Sequence, residues 1–319
     1  MSKAIKKINA ALRRSIGLWI IFFCSFSAFA APAESFPPIT VVYPDVQAPY
    51  RAVLDQVMAG IADQTRGQAV NYPLSSGLDT NALQQQFERQ PGGVVIGLGR
   101  RGFDALKAVK PGRPVAIGAV SLTPQSIPPG FAGISLVPDP AILFSRLHQF
   151  APQVRRVHVV FNPEANGWLM TLAREAARTQ GVELVTYEAR DLRAAARLYR
   201  EVSGTVSGAA EAIWLPPEDG TLDEIAVLPA LLQEVWQREV VVFSGNPMHV
   251  KRGALFALYP DNYTLGRSLA KMALDLAKGR GAELVPLEDM LIAVNLRTAE
   301  HLNLPALAHK RSSFAAVFP

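Results

Sequence analysis

Cysteine is almost missing from this chain: Cys24 is the only one in 319 residues. A disulfide framework is therefore excluded, and so is a thiolate metal cage. Histidine is scarce as well. The five residues at 148, 158, 249, 301 and 309 include no pair at i, i+4 with an accompanying carboxylate, so the ligand spacing of a zinc site is absent. There is no G-x-x-x-x-G-K-[ST] phosphate loop and no G-x-S-x-G nucleophile elbow. "GLGRRG" (97–102) has a G-x-G but lacks the third glycine at dinucleotide spacing. These gaps leave no catalytic residue, metal or cofactor to expect.

Acidic residues are missing from one stretch. The first thirty residues carry five basic side chains and no acid, and "LWIIFFCSFSAFA" (18–30) is apolar up to Ala28-Phe29-Ala30. A basic start, an apolar core and a small-x-small end define a secretory signal peptide cleaved after Ala30, with the mature chain in the periplasm. The alternative is an uncleaved anchor, which would need a run nearer to about twenty residues. Phe23 before Cys24 argues against a lipoprotein, and Arg13-Arg14 is a weak twin-arginine hint. Without the signal, 32 Lys and Arg fall to 27, equal to the 27 Asp and Glu. A neutral mature chain carries no electrostatic argument for nucleic acid. Removing thirty residues from 319 leaves 289, enough for a sizeable core in one large or two medium domains.

What is present is alternation. Strand-like "ITVVYP" (39–44), "QAVNYPL", "GGVVIGLG" (92–99) and "RPVAIGAV" are separated by helical runs near 48–64, 79–90 and 101–110, the second with Asp79 placed as N-cap. "SLTPQSIPPGFAG" (121–133) then breaks the rhythm with Pro, Ser and Gly and reads as a linker. The alternation resumes with "GISLV", "RRVHVVFN", "VELVTYEA", "AAEAIWLPP" and "EVVVFSG", again with helices between them. An amphipathic helix at 261–278 and the strand-like "VPLEDMLIAVNL" follow. Repeated β-α units give parallel sheets with right-handed crossovers, so the expectation is an α/β protein of two lobes.

Ligands of open α/β sheets bind beyond the carboxyl ends of the strands. Those ends read "YPDVQAPY", "GLGRRG", "SLTP", "NPEANGW", "PPEDGT" and "SGNPMH". They offer Asp45, Gln47, Tyr50, Arg100, Arg101, Asn166, Asp219 and Asn246 as candidate contacts. Glu218 and Asp219 fit either a solvated turn or a contact to a ligand amine. His158 lies inside a strand and reads as structural. His249 lies at a strand end and is the histidine to watch.

With those joints laid out, the chain resembles the periplasmic substrate-binding proteins of ABC transporters, type I fold, in the subgroup of tryptophan- and tyrosine-type binders. The resemblance is clearest over 150–304. It rests on "NPEANGWLMTLAREAARTQGVELV", on "FSGNPMHVKRGALFALYPDNYTLGRSLAKMALDLAKG" with its Val-Lys-x-Gly-Ala turn, and on "AVNLRTAEHLNLP". It implies two Rossmann-like lobes joined by a three-segment hinge. Together with the linker it places 36–120 plus 258–287 in the first lobe and 121–257 plus 288–304 in the second, with 305–319 as a tail. It adds Tyr259 and Asp261 as cleft or hinge residues, with hinge packing an equal alternative for Tyr259 and Tyr263. One departure stands out. The family's Gly-Thr-Pro-Ala type loop is replaced by Gly99-Arg100-Arg101-Gly102. The two arginines fit a carboxylate or phosphate clamp, a solvated rim, or a pocket that no longer takes an amino acid. The implied function is capture of a small amino-acid-like ligand or other small carboxylate by hinge closure, by a monomer that hands it to a membrane permease. The alternative is a sensor of the same fold feeding a signalling receptor. A secreted enzyme ranks behind both because the chemistry motifs are missing.

Overall fold

The computed structural model describes residues 37–75, 80–217, 220–281 and 283–319. The expected signal segment, the Asp79 cap, Glu218 and Asp219 lie outside the described residues. In the first lobe, β1 (Ile39–Pro44), β2 (Ala69–Leu74), β3 (Val94–Leu98), β4 (Val115–Val120), β5 (Phe131–Pro138) and β11 (Leu284–Leu287) form a parallel sheet in the order β11-β5-β4-β3-β1-β2. β3 is buried along its whole length, as expected of a strand covered on both faces. Alternate residues serve opposite faces. Val41 and Ile96 pack with α1 (Tyr50–Gln64), while Val42 and Val95 pack with α2 (Thr80–Arg89) and α3 (Gly99–Val109).

The second lobe contains α4 (Pro140–Phe150), β6 (Arg156–Phe161), α5 (Pro163–Thr179), β7 (Glu183–Glu188), α6 (Leu192–Thr205), β8 (Glu211–Leu215), α7 (Val227–Gln237), β9 (Val241–Ser244), α8 (Pro247–Arg252) and β10 (Phe256–Pro260). After an excursion through α9 (Asn262–Ala277) and β11, the chain returns as β12 (Met290–Asn295), α10 (Leu296–His301), α11 (Ala306–His309) and β13 (Ala316–Phe318). The sheet order is β13-β12-β10-β9-β8-β6-β7, with β12 antiparallel to β10. Its core holds Phe144, Trp214, Phe243 and Phe256 in edge and stacked contacts with centroids 5.3–6.4 Å apart.

Helix starts follow from local chemistry. Asp139, Asn162, Asp191, Asn246, Asp261 and Asn295 each accept a backbone N–H from the turn they cap. Proline follows the cap in α4, α5 and α8, where its missing N–H costs nothing.

The chain crosses between sheets at 138–140, 260–262 and 287–290. Asp139 N–H donates to the Leu287 carbonyl and Asp261 N–H to the Asp289 carbonyl, each at 2.9 Å, so the third crossing is hydrogen-bonded to each of the other two. After the second crossing, α9 lies on α1 and the first sheet.

Three local features differ from the sequence reading. The Pro-rich 121–133 segment is not an interlobe linker, because β5 pairs with β4 and β11 in the first sheet. Ser135 Oγ clasps that segment, donating to the Leu122 carbonyl at 2.9 Å and accepting from Leu122 N–H at 3.0 Å. The crossing falls instead at Pro138-Asp139-Pro140, a helix-start signal. "VPLEDMLIAVNL" is two strands in different sheets, split at Glu288-Asp289. The tail ends in β13, paired with β12.

Candidate functional site

The crossings fix which ends of the sheets face each other. β5 ends where the chain enters the second lobe, so the carboxyl ends of its parallel partners β1, β3 and β4 point the same way. β10 ends where the chain leaves for the first lobe, so β6, β8 and β9 point back. Strand order reverses between β1 and β3 in the first sheet and between β6 and β8 in the second. Crevices at such reversals are where open α/β sheets take ligands.

In the first lobe, Asp45 and Gln47 follow β1 and Arg100 and Arg101 form the first turn of α3. Asp45 is exposed, 3.6 Å from Arg51, which also bonds Asp55 at 2.8 Å. The exposed Gln47 gives its carbonyl to Arg51 N–H at 3.2 Å. Tyr50 opens α1 as a large aromatic with 72% of its surface exposed. Arg100 Nη2 donates to the Ser121 carbonyl at 3.1 Å and Arg101 Nη2 to the Ser75 carbonyl at 2.6 Å. Each arginine thus straps a neighbouring strand-end loop while its guanidinium stays exposed, and a guanidinium has five N–H donors to distribute. Gly102 is required here: a Cβ would come within 2.9 Å of the Val42 carbonyl oxygen.

In the second lobe, Asn166 is buried in the first turns of α5 and its Nδ2 donates to the Pro217 carbonyl at 3.3 Å. It joins the β6 and β8 loops. Asn246 caps α8, its Oδ1 accepting from Met248 N–H at 2.9 Å. Behind it, buried His249 places Nε2 2.7 Å from Glu224 Oε1, and Arg252 reaches the other carboxylate oxygen at 3.1 Å. Among the described residues Nδ1 of His249 is buried without a partner, which fits the tautomer that donates from Nε2 to Glu224. The sequence drew attention to His249, but nothing in it pairs that residue with Glu224, 25 positions earlier.

At the hinge, Tyr259 is half-buried against Val250, Ala257 and Ala293. Burial pushes its hydroxyl pKa up, and Asp261 adds to the effect. Asp261 caps α9 with both oxygens, accepting from Thr264 N–H at 3.1 Å and Thr264 Oγ1 at 2.9 Å. Tyr263 is raised chiefly by its hydrogen bond to Asp63 on α1. Away from the strand ends, His158 bridges the Tyr187 hydroxyl at 3.0 Å and Glu211 at 2.7 Å, as part of the sheet framework. Among the described residues no group of three His, Cys, Asp or Glu side chains could hold a metal. No described helix is long and apolar enough to cross a membrane.

Two lobes on a three-segment hinge, with strand ends facing across it, define the type I periplasmic-binding fold. The comparisons agree. The profile of the family "ABC transporter substrate binding protein" matches residues 73–306, and the chain belongs to that family. No curated protein sequence matches it. Among solved structures, a substrate-binding protein with adhesive properties from Clostridium difficile, in its ligand-free, open form, aligns with TM-score 0.58 and 16% identity. That alignment covers 84% of this chain and 95% of the other. The ABC domain in complex with L-Trp from Streptococcus pneumonia aligns with TM-score 0.51 and 16% identity, over 88% of this chain and all of the other, 100%. At this identity the likeness is one of fold. The protein is a solute-binding protein of the ABC family.

Proposed function

We propose that this protein captures a small amino-acid-like ligand between its lobes in the periplasm and delivers it to a membrane permease. One observation carries the reading. The strand order reverses between β1 and β3 and between β6 and β8, and on this reading Asp45, Gln47 and Arg100 stand on one side of the cleft and Asn166 with Asp219 on the other. Tyr50, Arg101, Asn246, Tyr259 and Asp261 complete the candidate lining. The resemblance to an L-Trp complex supports an amino-acid-like ligand, and the basic, apolar start of the chain supports export.

The physical division of labour follows from the residue types. Arg100 stands in the first turn of α3, where backbone N–H groups lack intrahelical partners. Guanidinium and helix start together suit a ligand carboxylate. Asp45 and Asp219 supply the opposite charge for an amine. Closure about the crossings at 138–140, 260–262 and 287–290 would bring both sets onto one ligand with no covalent step.

The test is calorimetric titration of amino acids and related small carboxylates into the wild type and Arg100→Ala. A charge-assisted hydrogen bond in a closed cleft is worth about 1.5–3 kcal/mol, so the variant should bind roughly tenfold to a hundredfold more weakly. Equal binding by the variant would remove Arg100 from the site. If no small molecule binds the wild type, the delivery reading fails and a partner-binding sensor of this fold replaces it.

A further inference from the structure

On the second lobe, at the end away from the cleft, lies a cavity of about 500 Å³ built from α7, α8 and α10. β12 begins at a hinge crossing and runs to Asn295, which lines this cavity, so the site sits at the opposite end of the sheet from the strand-order reversals. Its walls carry Lys251, Arg252 and Arg297 together with the amides of Gln233 and Gln237; Pro319, the last residue of the chain, also lines it, and no carboxylate side chain does. Residues 31–319 carry equal numbers of acidic and basic side chains, so three cations around one concavity are a local feature.

The site is held in place from below. Asn295 Nδ2 donates to the Val250 carbonyl at 2.9 Å, and Thr298 Oγ1 donates to the Gly253 carbonyl at 3.0 Å. These bonds fix the start of α10 to Val250 and Gly253, the residues on either side of Lys251 and Arg252. Trp236 stacks on His301 with centroids 3.7 Å apart, and His301 Nε2 donates to the Trp236 carbonyl at 2.8 Å. The guanidinium of Arg297 lies 5.3 Å from the Trp236 ring centroid. An arginine laid on an indole is held in plane, with its N–H edges available for anion oxygens. Among the described residues neither Lys251 nor Arg297 makes an ion pair, whereas Arg252 is held by Glu224.

We propose that this cavity is a second binding site, for a small soluble polyanion bearing phosphate or carboxylate groups. The cations of α8 and α10 take separate anionic groups, and the glutamine amides supply neutral donors. The volume is within the range of small-molecule sites. The proposal does not depend on what the interlobe cleft binds.

The experiment is calorimetric titration of pyrophosphate and, separately, citrate into the full chain at low ionic strength. It is repeated on Lys251→Gln/Arg297→Gln and on a charge-matched control, Lys107→Gln/Lys278→Gln. All four side chains are exposed, and unchanged circular dichroism and melting of both double variants would show that the fold is kept. At least one probe should bind the wild type and the control with equal affinity and weaken as salt is added. The Lys251/Arg297 variant should bind it at least tenfold more weakly. Binding of pyrophosphate alone would mark a phosphate site, and binding of citrate alone a carboxylate site. Equal binding by the Lys251/Arg297 variant, or no binding of either probe at millimolar concentration, overturns the proposal. Binding to vesicles of phosphatidylglycerol with neither soluble probe bound overturns it too, because the site would then read a lipid surface.

Discussion

Gly60 and Gly266 are reciprocal: a Cβ on Gly60 would come within 2.0 Å of the Tyr263 carbonyl oxygen, and one on Gly266 within 2.0 Å of the Val57 carbonyl oxygen. The backbones of α1 and α9 therefore touch, and any side chain at either position would separate them. This contact fastens the returning chain to the first lobe just after the second hinge crossing.

Gly266→Ala should destabilise the protein by about 2–3 kcal/mol, since overpacking at a backbone contact outweighs the gain in helix propensity. Gly167→Ala is the counterpart. It lies in α5 with nothing within 4 Å of a built Cβ, and should stabilise by about 0.5–1 kcal/mol. Urea unfolding of both variants checks the pair. Equal effects would mean that the α1–α9 contact is not close.

Most elements were legible in the sequence because buried parallel strands such as "VVIGL" read as continuous apolar runs bounded by glycine and proline. The interlobe boundary was harder. A Pro-rich segment at 121–133 looked like a linker, but loops within one sheet are just as rich in proline, and Ser135 closes this one through long-range bonds that have no local pattern. α8 reads as a turn in the sequence because its six residues are too few to show periodicity. At the candidate site, residue types at strand ends could be named. Which of them cap helices, as Asn246 and Asp261 do, and which strap loops, as Arg100 and Arg101 do, depends on partners remote in sequence.

Asp261 separates capping from ligand contact. Both its oxygens are engaged by Thr264, so Asp261→Ala should cost about 1 kcal/mol as a lost N-cap. Asp261→Asn retains a good cap and should cost less. If Asp261 also faces a ligand amine, the asparagine variant will bind less tightly at nearly unchanged stability. Unchanged affinity in Asp261→Asn would restrict the residue to its structural role.

Asp223 makes a prediction about acid. Its Oδ1 accepts from Ala226 and Ile225 N–H groups, each at 2.8 Å, and these bonds, Ala226 first, hold its pKa below the ordinary value. A depressed carboxylate stabilises the fold above its unfolded pKa of about 3.9 and loses that contribution as pH falls through the lower folded value. Asp223→Asn keeps an acceptor but cannot titrate. Its stability should therefore fall less steeply than that of the wild type below about pH 4. Parallel profiles of unfolding free energy against pH for the two proteins would show that Asp223 is not bonded this way in solution.

The His249–Glu224 pair should matter to the second-lobe side of the cleft. Glu224 joins the 220–226 segment to α8 through His249 and Arg252, and α8 starts at Asn246, a candidate ligand contact. Glu224→Ala strands the buried Nε2–H of His249, and an unpaired buried donor costs about 1–3 kcal/mol. Since the Glu224 side chain is 42% exposed, water recovers part of this, and the lower end of that range is the expectation. Glu224→Gln keeps an acceptor and should cost less. Amide exchange should accelerate in Glu224→Ala at 248–253 and in the segment around Ile225, which is 88% exposed and has little apolar contact of its own to hold it. If exchange rises across the whole second lobe, the loss is global rather than local. If it does not rise at all, α8 is held by its Asn246 cap and by Val250 packing, and the carboxylate–imidazole contact is incidental to the loop.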